Sequence, residues 1–169
     1  MAGFTAVELV IVMLLVGILA AVSLPLFMTI MQSYRLDGAA RNVAGDLRYA
    51  QSLAVARGGF YRLHSGDEGG VNQPGRYRLE QSASVAGPWT PVTDASGSGE
   101  WYLLSSEFVG ASLQSIRDNA GGTMYQVQFN SRGACANCAG ISLPIVVTVS
   151  STSGTRTVQV RSAGSVSIQ

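Results

Sequence analysis

The hydrophobic rhythm of the chain changes along its length, and each change marks an element. Residues 9–31 form a run of 23 apolar or uncharged positions. As a helix rising about 1.5 Å per residue, that run reaches roughly 35 Å, enough for a bilayer core of about 30 Å. Beyond it the pattern becomes periodic. Leu36, Ala40, Val43, Leu47, Ala50 and Ala54 recur at steps of three and four, which is one stripe of an amphipathic helix with Asp37, Arg41 and Arg48 on other faces. Asp37 and Arg41 stand one turn apart and are expected to form a surface pair. Gly38 and Gly45 each cost about 1 kcal/mol relative to Ala inside a helix, so the stripe needs a packed partner. Arg57 and then Gly58-Gly59 supply the stop signal. One helix from Phe4 to Arg57 would be on the order of 80 Å long; the alternative is two helices with a break near Pro25 or Ser33.

From Phe60 the period falls to two. Phe60-Tyr61-Arg62-Leu63-His64 alternates, as does Arg76-Tyr77-Arg78-Leu79-Glu80-Gln81. Residues 101–104, 108–113, 125–130, 141–150, 155–161 and 165–168 are further strand candidates, separated by Gly, Ser, Asn and Asp clusters that mark turns and hairpins. Residues 83–99, with Pro88, Pro91 and many small side chains, read as a long surface loop. Trp101 is expected in the core, and Trp89, between prolines, at the surface as a contact residue. The fold class is α+β: a long N-terminal helix, half membrane segment and half amphipathic, packed on an antiparallel β-sheet domain.

Charge refines this picture without changing it. The 169 residues contain 11 basic side chains, all Arg, against 10 acids, for a net charge of +1. That balance gives no support for a strongly electrostatic partner such as nucleic acid. Charged residues make up 12% of the chain, and outside the apolar run the sequence is rich in Ser, Thr, Gly and Gln, as extracytoplasmic β domains commonly are. The length allows one domain beyond the anchor.

The informative exception is Glu8, an acid at the edge of the apolar run. A carboxylate there is costly unless it meets water or a cation, which makes it a candidate functional residue. Its context, Gly3-Phe4-Thr5-Ala6-Val7-Glu8-Leu9, resembles the processing site of type IV prepilins and pseudopilins, G-F-T-L-x-E-L ahead of an apolar helix. The resemblance implies cleavage after Gly3 by a prepilin peptidase and N-methylation of the new terminus at Phe4. It also implies pairing of Glu8 with a neighbouring subunit's terminal amine during assembly. Such a pair fixes register even where it adds little net stability. Gly17 and Pro25 also match the family, in which a proline at this place kinks the helix; Pro25 removes a backbone donor and crowds the carbonyl of Ala21. Met1-Ala2-Gly3 departs from the family because prepilin leaders are usually basic. A secretory signal peptide is the competing reading, but the basic region is missing and Leu19-Ala20-Ala21-Val22-Ser23-Leu24 is only a fair cleavage region.

The C-terminal half narrows the resemblance. Val127-Gln128-Phe129-Asn130-Ser131-Arg132-Gly133 resembles the F-x-x-x-G turn of GspH/FimT-type minor pilins. Thr155-Arg156-Thr157-Val158-Gln159-Val160 with Gly164-Ser165-Val166-Ser167-Ile168 resembles their last hairpin, and residues 47–58 resemble their helix end. The implied organisation is a leader at 1–3, a long helix at 4–58 with its membrane segment at 9–31, and a globular β domain at 59–169. The implied role is that of a structural subunit at or near the tip of a type IV pilus or a type II secretion pseudopilus. Its expected partners are other major and minor pilins or pseudopilins, the prepilin peptidase and an inner-membrane assembly platform. The expected location is the bacterial inner membrane, crossed once with the C-terminal domain in the periplasm, and then the filament.

Cys135-Ala136-Asn137-Cys138 is a C-x-x-C between strands. A disulfide closing a tight loop suits an oxidising compartment; a free or intermolecular pair, redox catalysis or metal binding are the alternatives. His64, the sole histidine, is expected to cap a strand. No phosphate-binding glycine motif, metal cluster or catalytic constellation is present in the pattern, so no cofactor and no enzymatic activity are expected. DNA capture is the alternative function, as proposed for some FimT-like proteins with an arginine-rich C-terminal segment. Here Arg156 and Arg161 are isolated and residues 162–169 carry no charge, so that signature is absent.

Overall fold

A computed structural model of the chain describes residues 5–66, 75–93, 99 and 101–169, apart from the side chains of Pro25 and Leu26. The apolar run and the amphipathic stripe belong to one helix, α1 (Ala6–Arg57), of 52 residues. Thr5 caps it in a capping box with Glu8, and Gly58 closes it at φ 71° behind Arg57. The helix passes through Pro25 and Ser33 without ending, so the single-helix reading holds. Its two halves differ completely in burial. Every described side chain from Val7 to Met31 is exposed, whereas Leu36, Ala40, Val43, Leu47, Ala50 and Ala54 are buried. Asp37 does not pair with Arg41 as expected. Its carboxylate accepts from Arg156 Nε at 2.6 Å, because the packed sheet brings that guanidinium to the helix.

Ten strands follow among the described residues. They are β1 (Phe60–Ser65), β2 (Arg76–Ser82), β3 (Thr90–Pro91), β4 (Tyr102–Leu103), β5 (Ser112–Arg117), β6 (Thr123–Met124), β7 (Gln126–Phe129), β8 (Ile145–Ser151), β9 (Gly154–Val160) and β10 (Val166–Ile168), with a one-turn helix, α2 (Leu104–Glu107), between β4 and β5. They form two five-stranded antiparallel sheets. The first runs β3-β2-β1-β7, with β4 also on β2; the second runs β10-β9-β8-β5-β6. Inward positions alternate as the pleat requires: Tyr61, Leu63, Tyr77, Val127 and Phe129 from the first sheet, and Ile116, Ile145, Val147, Val149, Val158 and Val160 from the second. These residues and the α1 stripe make one buried core.

Several expectations are corrected. The segment 108–113 is largely a turn: the Phe108 amide donates to Leu104 O, the Ala111 amide donates to Phe108 O, and Gly110 sits at φ 86° before β5 starts. Phe108 is apolar because its ring lies over α1, where a Cβ on Gly38 would fall 2.8 Å from it. Leu104, expected in a strand, is buried at the start of α2. Residues 141–144 are not strand; β8 begins after Pro144, which has no amide to donate. The loop 83–99 includes the short strand β3, paired to Glu80 and Gln81.

Candidate functional site

The N-terminal end of α1 presents the acid singled out in the sequence. Glu8 is exposed, and its Oε2 accepts from the Thr5 amide and from Thr5 Oγ1, each at 3.0 Å; the Glu8 amide in turn donates to Thr5 Oγ1 at 3.3 Å. The carboxylate therefore sits over the first turn, where unpaired amides and the helix dipole favour a negative charge. Ahead of it, Gly3 and Phe4 lie outside the described residues. Behind it the exposed apolar half of α1 is, among the described residues, the one helix long and apolar enough to cross a membrane, judged by length and composition. Pro25 lies within that half; Ser23 Oγ, just before it, donates to Leu19 O at 2.8 Å.

The other end of α1 is locked to the sheets by glycines. Gln51 Nε2 donates to Gly133 O at 2.7 Å. Gly164, at φ 81°, approaches the same carbonyl so closely that a Cβ on it would stand 1.9 Å from Gly133 O. Glycine is the residue that allows both the left-handed backbone and the contact. The turn after β7 and the turn before β10 thus meet on the last turns of the helix. Nearby, Cys135 and Cys138 are disulfide-bonded, with Cα atoms 5.5 Å apart, the pairing expected for a tight loop closed by the C-x-x-C.

A buried charge cluster on the outer face of the first sheet is absent from the sequence expectations. Arg62 and His64 of β1 stand opposite Glu80 and Arg78 of β2. Glu80, 1% exposed, accepts from Arg62 Nε at 2.5 Å and Arg78 Nε at 2.6 Å, with His64 Nδ1 3.3 Å away. Arg62 also donates to Gln126 of β7. Burial disfavours the charged carboxyl, but the contacts from His64 and Arg62 outweigh that effect and hold its pKa down at about 2. Trp89 covers Arg62, 4.2 Å from ring centroid to guanidinium, and Trp101 covers Arg78 at 4.3 Å. Trp101 is therefore not a core residue, Trp89 is half-buried in its stack on Arg62, and His64 lies inside a strand rather than capping one. The signal was present in the charged alternate positions of two strands, Arg62/His64 and Arg78/Glu80. A polar sheet face is ordinarily solvated, so the pattern alone did not distinguish a buried cluster from an open surface.

On the inner side, Tyr77 Oη donates to Asp46 Oδ2 at 2.5 Å, with Asn42 Oδ1 2.9 Å from the same hydroxyl. Burial is the main reason both the Asp46 carboxyl and the Tyr77 hydroxyl titrate above their ordinary values. These groups line a cleft of about 400 Å³ with Tyr49, Trp101, Tyr102 and Glu107. Among the described residues, no group of three His, Cys, Asp or Glu side chains could hold a metal ion.

A long helix, bare and apolar in its first half and packed on antiparallel sheet in its second, with an acid at the head of the bare half, defines a pilin-like subunit. Residues 39–164 match the protein family described as GspH, Type II transport protein GspH, and the chain belongs to that family. Two solved structures of the type IV minor pilin FimU of Pseudomonas aeruginosa (strain PAO1) have a similar fold. One is 14% identical with a TM-score of 0.52, over 83% of this chain and 92% of the other; the second is 13% identical with a TM-score of 0.50, over 79% and 92%. No curated protein sequence matches the chain.

Proposed function

We propose that this chain is a minor pilin or pseudopilin, a structural subunit built into the tip region of a type IV pilus or a type II secretion pseudopilus. It is anchored in the bacterial inner membrane by α1, with residues 59–169 in the periplasm, until it is incorporated beside other pilins or pseudopilins. The prepilin peptidase cleaves after Gly3, Phe4 becomes the N-methylated first residue, and Glu8 meets a neighbour's terminal amine. Pro25 loosens the helix where subunits bundle. The supporting observation is the exposure of the whole described apolar half of α1 around a single acid at its head. About 25 cal/mol per Å² of apolar surface favours covering that rod by lipid or by other helices. DNA capture draws no support from Arg156, which is committed to Asp37.

Intact mass spectrometry of membrane-extracted protein tests the processing step, with a mature chain starting at N-methylated Phe4 as the expected result. Glu8→Ala is expected to leave the sheet domain folded while incorporation into filaments, read by co-purification with sheared fibres, falls at least tenfold. Normal incorporation of Glu8→Ala, or a mature chain that starts after Ala21, would overturn the proposal.

A further inference from the structure

β7 pairs with β1 along one side. The backbone groups on its other side, at Gln126, Gln128 and Asn130, would form a template for a strand of another chain if left open. The returning segment 134–137 covers them. The Asn130 amide donates to Ala134 O at 3.0 Å, and the Ala136 amide donates to Gln128 O at 2.8 Å. At the next residue a side chain takes over from the backbone. The Gln128 amide donates to Asn137 Oδ1 at 3.0 Å, and Asn137 Nδ2 donates to Gln126 O at 3.0 Å. The amide of Asn137 thus imitates one residue of a neighbouring strand. The Cys135–Cys138 disulfide brackets it, and Cys138 is anchored in the core.

We propose that this disulfide is a lock on the β7 edge, and that the edge it hides is a pairing site for a second copy of this chain. The covered groups are self-complementary. Gln128 directs both an amide and a carbonyl outward, flanked by the Gln126 carbonyl and the Asn130 amide, so two antiparallel copies related by a twofold axis near Gln128 satisfy each other. Opening requires a dithiol reductant. Its thiolate attacks one bridge sulfur, a mixed disulfide forms, and the reductant's second thiolate displaces it. Two electrons pass to the bridge, Cys135 and Cys138 each take a proton, and the reductant leaves as a disulfide. The turn then loses its covalent closure, segment 134–137 stays on β7 by hydrogen bonds alone, with the Cys135 amide still donating to Ser162 O at 3.0 Å, and those bonds can be exchanged for the strand of a second copy.

The test compares oxidised full-length protein in detergent micelles with the same protein under a dithiol and with a Cys135→Ser/Cys138→Ser variant, by residue-resolved hydrogen exchange and sedimentation. At protein concentrations where the reduced chain is monomeric, the expected result is a fall in protection of at least 100-fold at the Gln128 and Asn130 amides, which the dimer restores as the concentration rises. The Val127 and Phe129 amides, which face β1, keep theirs, and a concentration-dependent dimer absent from the oxidised sample appears. Asn137→Ala with the disulfide intact is expected to expose the Gln128 amide alone and to stay monomeric, because Ala134 and Ala136 still cover their partners. Unchanged protection at Gln128 in the reduced monomer overturns the lock. Lost protection without association overturns the pairing site. Loss of protection at Val127 as well overturns both, since the bridge would then support the whole sheet rather than its edge.

Discussion

The two halves of α1 share one backbone and one set of helical hydrogen bonds, yet they solve different problems. In the second half the apolar stripe of Leu36, Ala40, Val43, Leu47, Ala50 and Ala54 is sealed against two sheets. In the first half, side chains of equal hydrophobicity from Val7 to Met31 stay uncovered, and several exceed half exposure. Folding of the chain therefore stops short of burying its most apolar segment. Stability of the sheet domain should depend on the second half alone, and the first half should matter only where lipid or neighbouring helices are present.

The strongest way to undo the packed half is at its glycine junction. In Gly164→Ala the new Cβ would meet Gly133 O at 1.9 Å and Gln51 Nε2 at 2.5 Å, at a φ of 81°. Left-handed strain and overpacking together give an expected loss of roughly 3–5 kcal/mol. Thermal unfolding by near-ultraviolet circular dichroism should show a melting temperature lower by about 10 °C. A shift under 3 °C would mean that the turns around Gly133 and Gly164 separate cheaply.

Leucines test the two halves directly. Leu47 is fully buried and Leu14 is 60% exposed. Leu47→Ala is expected to cost roughly 3 kcal/mol of unfolding free energy, while Leu14→Ala leaves the sheet domain within about 0.5 kcal/mol of wild type. Similar losses from both substitutions would show that the halves of α1 are energetically coupled, contrary to their burial.

The sheet face away from the helix has its own signature in acid. Glu80 titrates near 2 in the folded chain against 4.5 for an unperturbed glutamate. Because the folded value is the lower one, the contribution of Glu80 is complete above pH 4.5 and is lost as the pH falls toward 2. Asp46 acts in the opposite sense: its pKa is raised above 3.8 by burial, so its ionisation weakens the fold as the pH rises through that range. The melting temperature should drop between pH 4.5 and 2, and Glu80→Gln should flatten that limb while lowering stability at pH 7, where Arg62 loses its buried counter-charge. Parallel acid limbs for wild type and variant would show that the cluster is not what acid disrupts.

How far these features were legible depended on whether a local rule decided them. The helix and its end were readable because the stripe from Leu36 to Ala54 and the Arg57-Gly58-Gly59 stop are local signals. β1, β2, β8 and β9 were readable because alternation and turn residues agree. Phe108 misled because an apolar residue next to Val109 looks like a strand, while its placement is set by a gap over Gly38, seventy positions earlier. Arg156 was bonded to Asp37 across 119 residues, a distance no helical spacing rule covers. The Glu80 cluster needs register between two strands plus two tryptophans, one just before β3 and one just before β4, and none of these is visible one segment at a time. Glu8 stands out in the sequence because a charge beside an uncharged run is anomalous in any context.

The smallest expected effect separates the two glycines of the packed half. A Cβ on Gly45 would meet nothing within 4 Å, whereas one on Gly38 would press on the Phe108 ring. Gly45→Ala should therefore raise stability by about 0.5–1 kcal/mol through reduced backbone entropy in the unfolded chain and better helix propensity. Gly38→Ala should gain almost nothing, because the ring has to turn aside. Chemical denaturation of the two variants side by side resolves a difference of this size, and equal gains would mean that Phe108 moves without cost. If Gly45→Ala stabilises the isolated subunit yet lowers its incorporation into filaments, the open space at Gly45 is kept for a neighbouring chain rather than for this one.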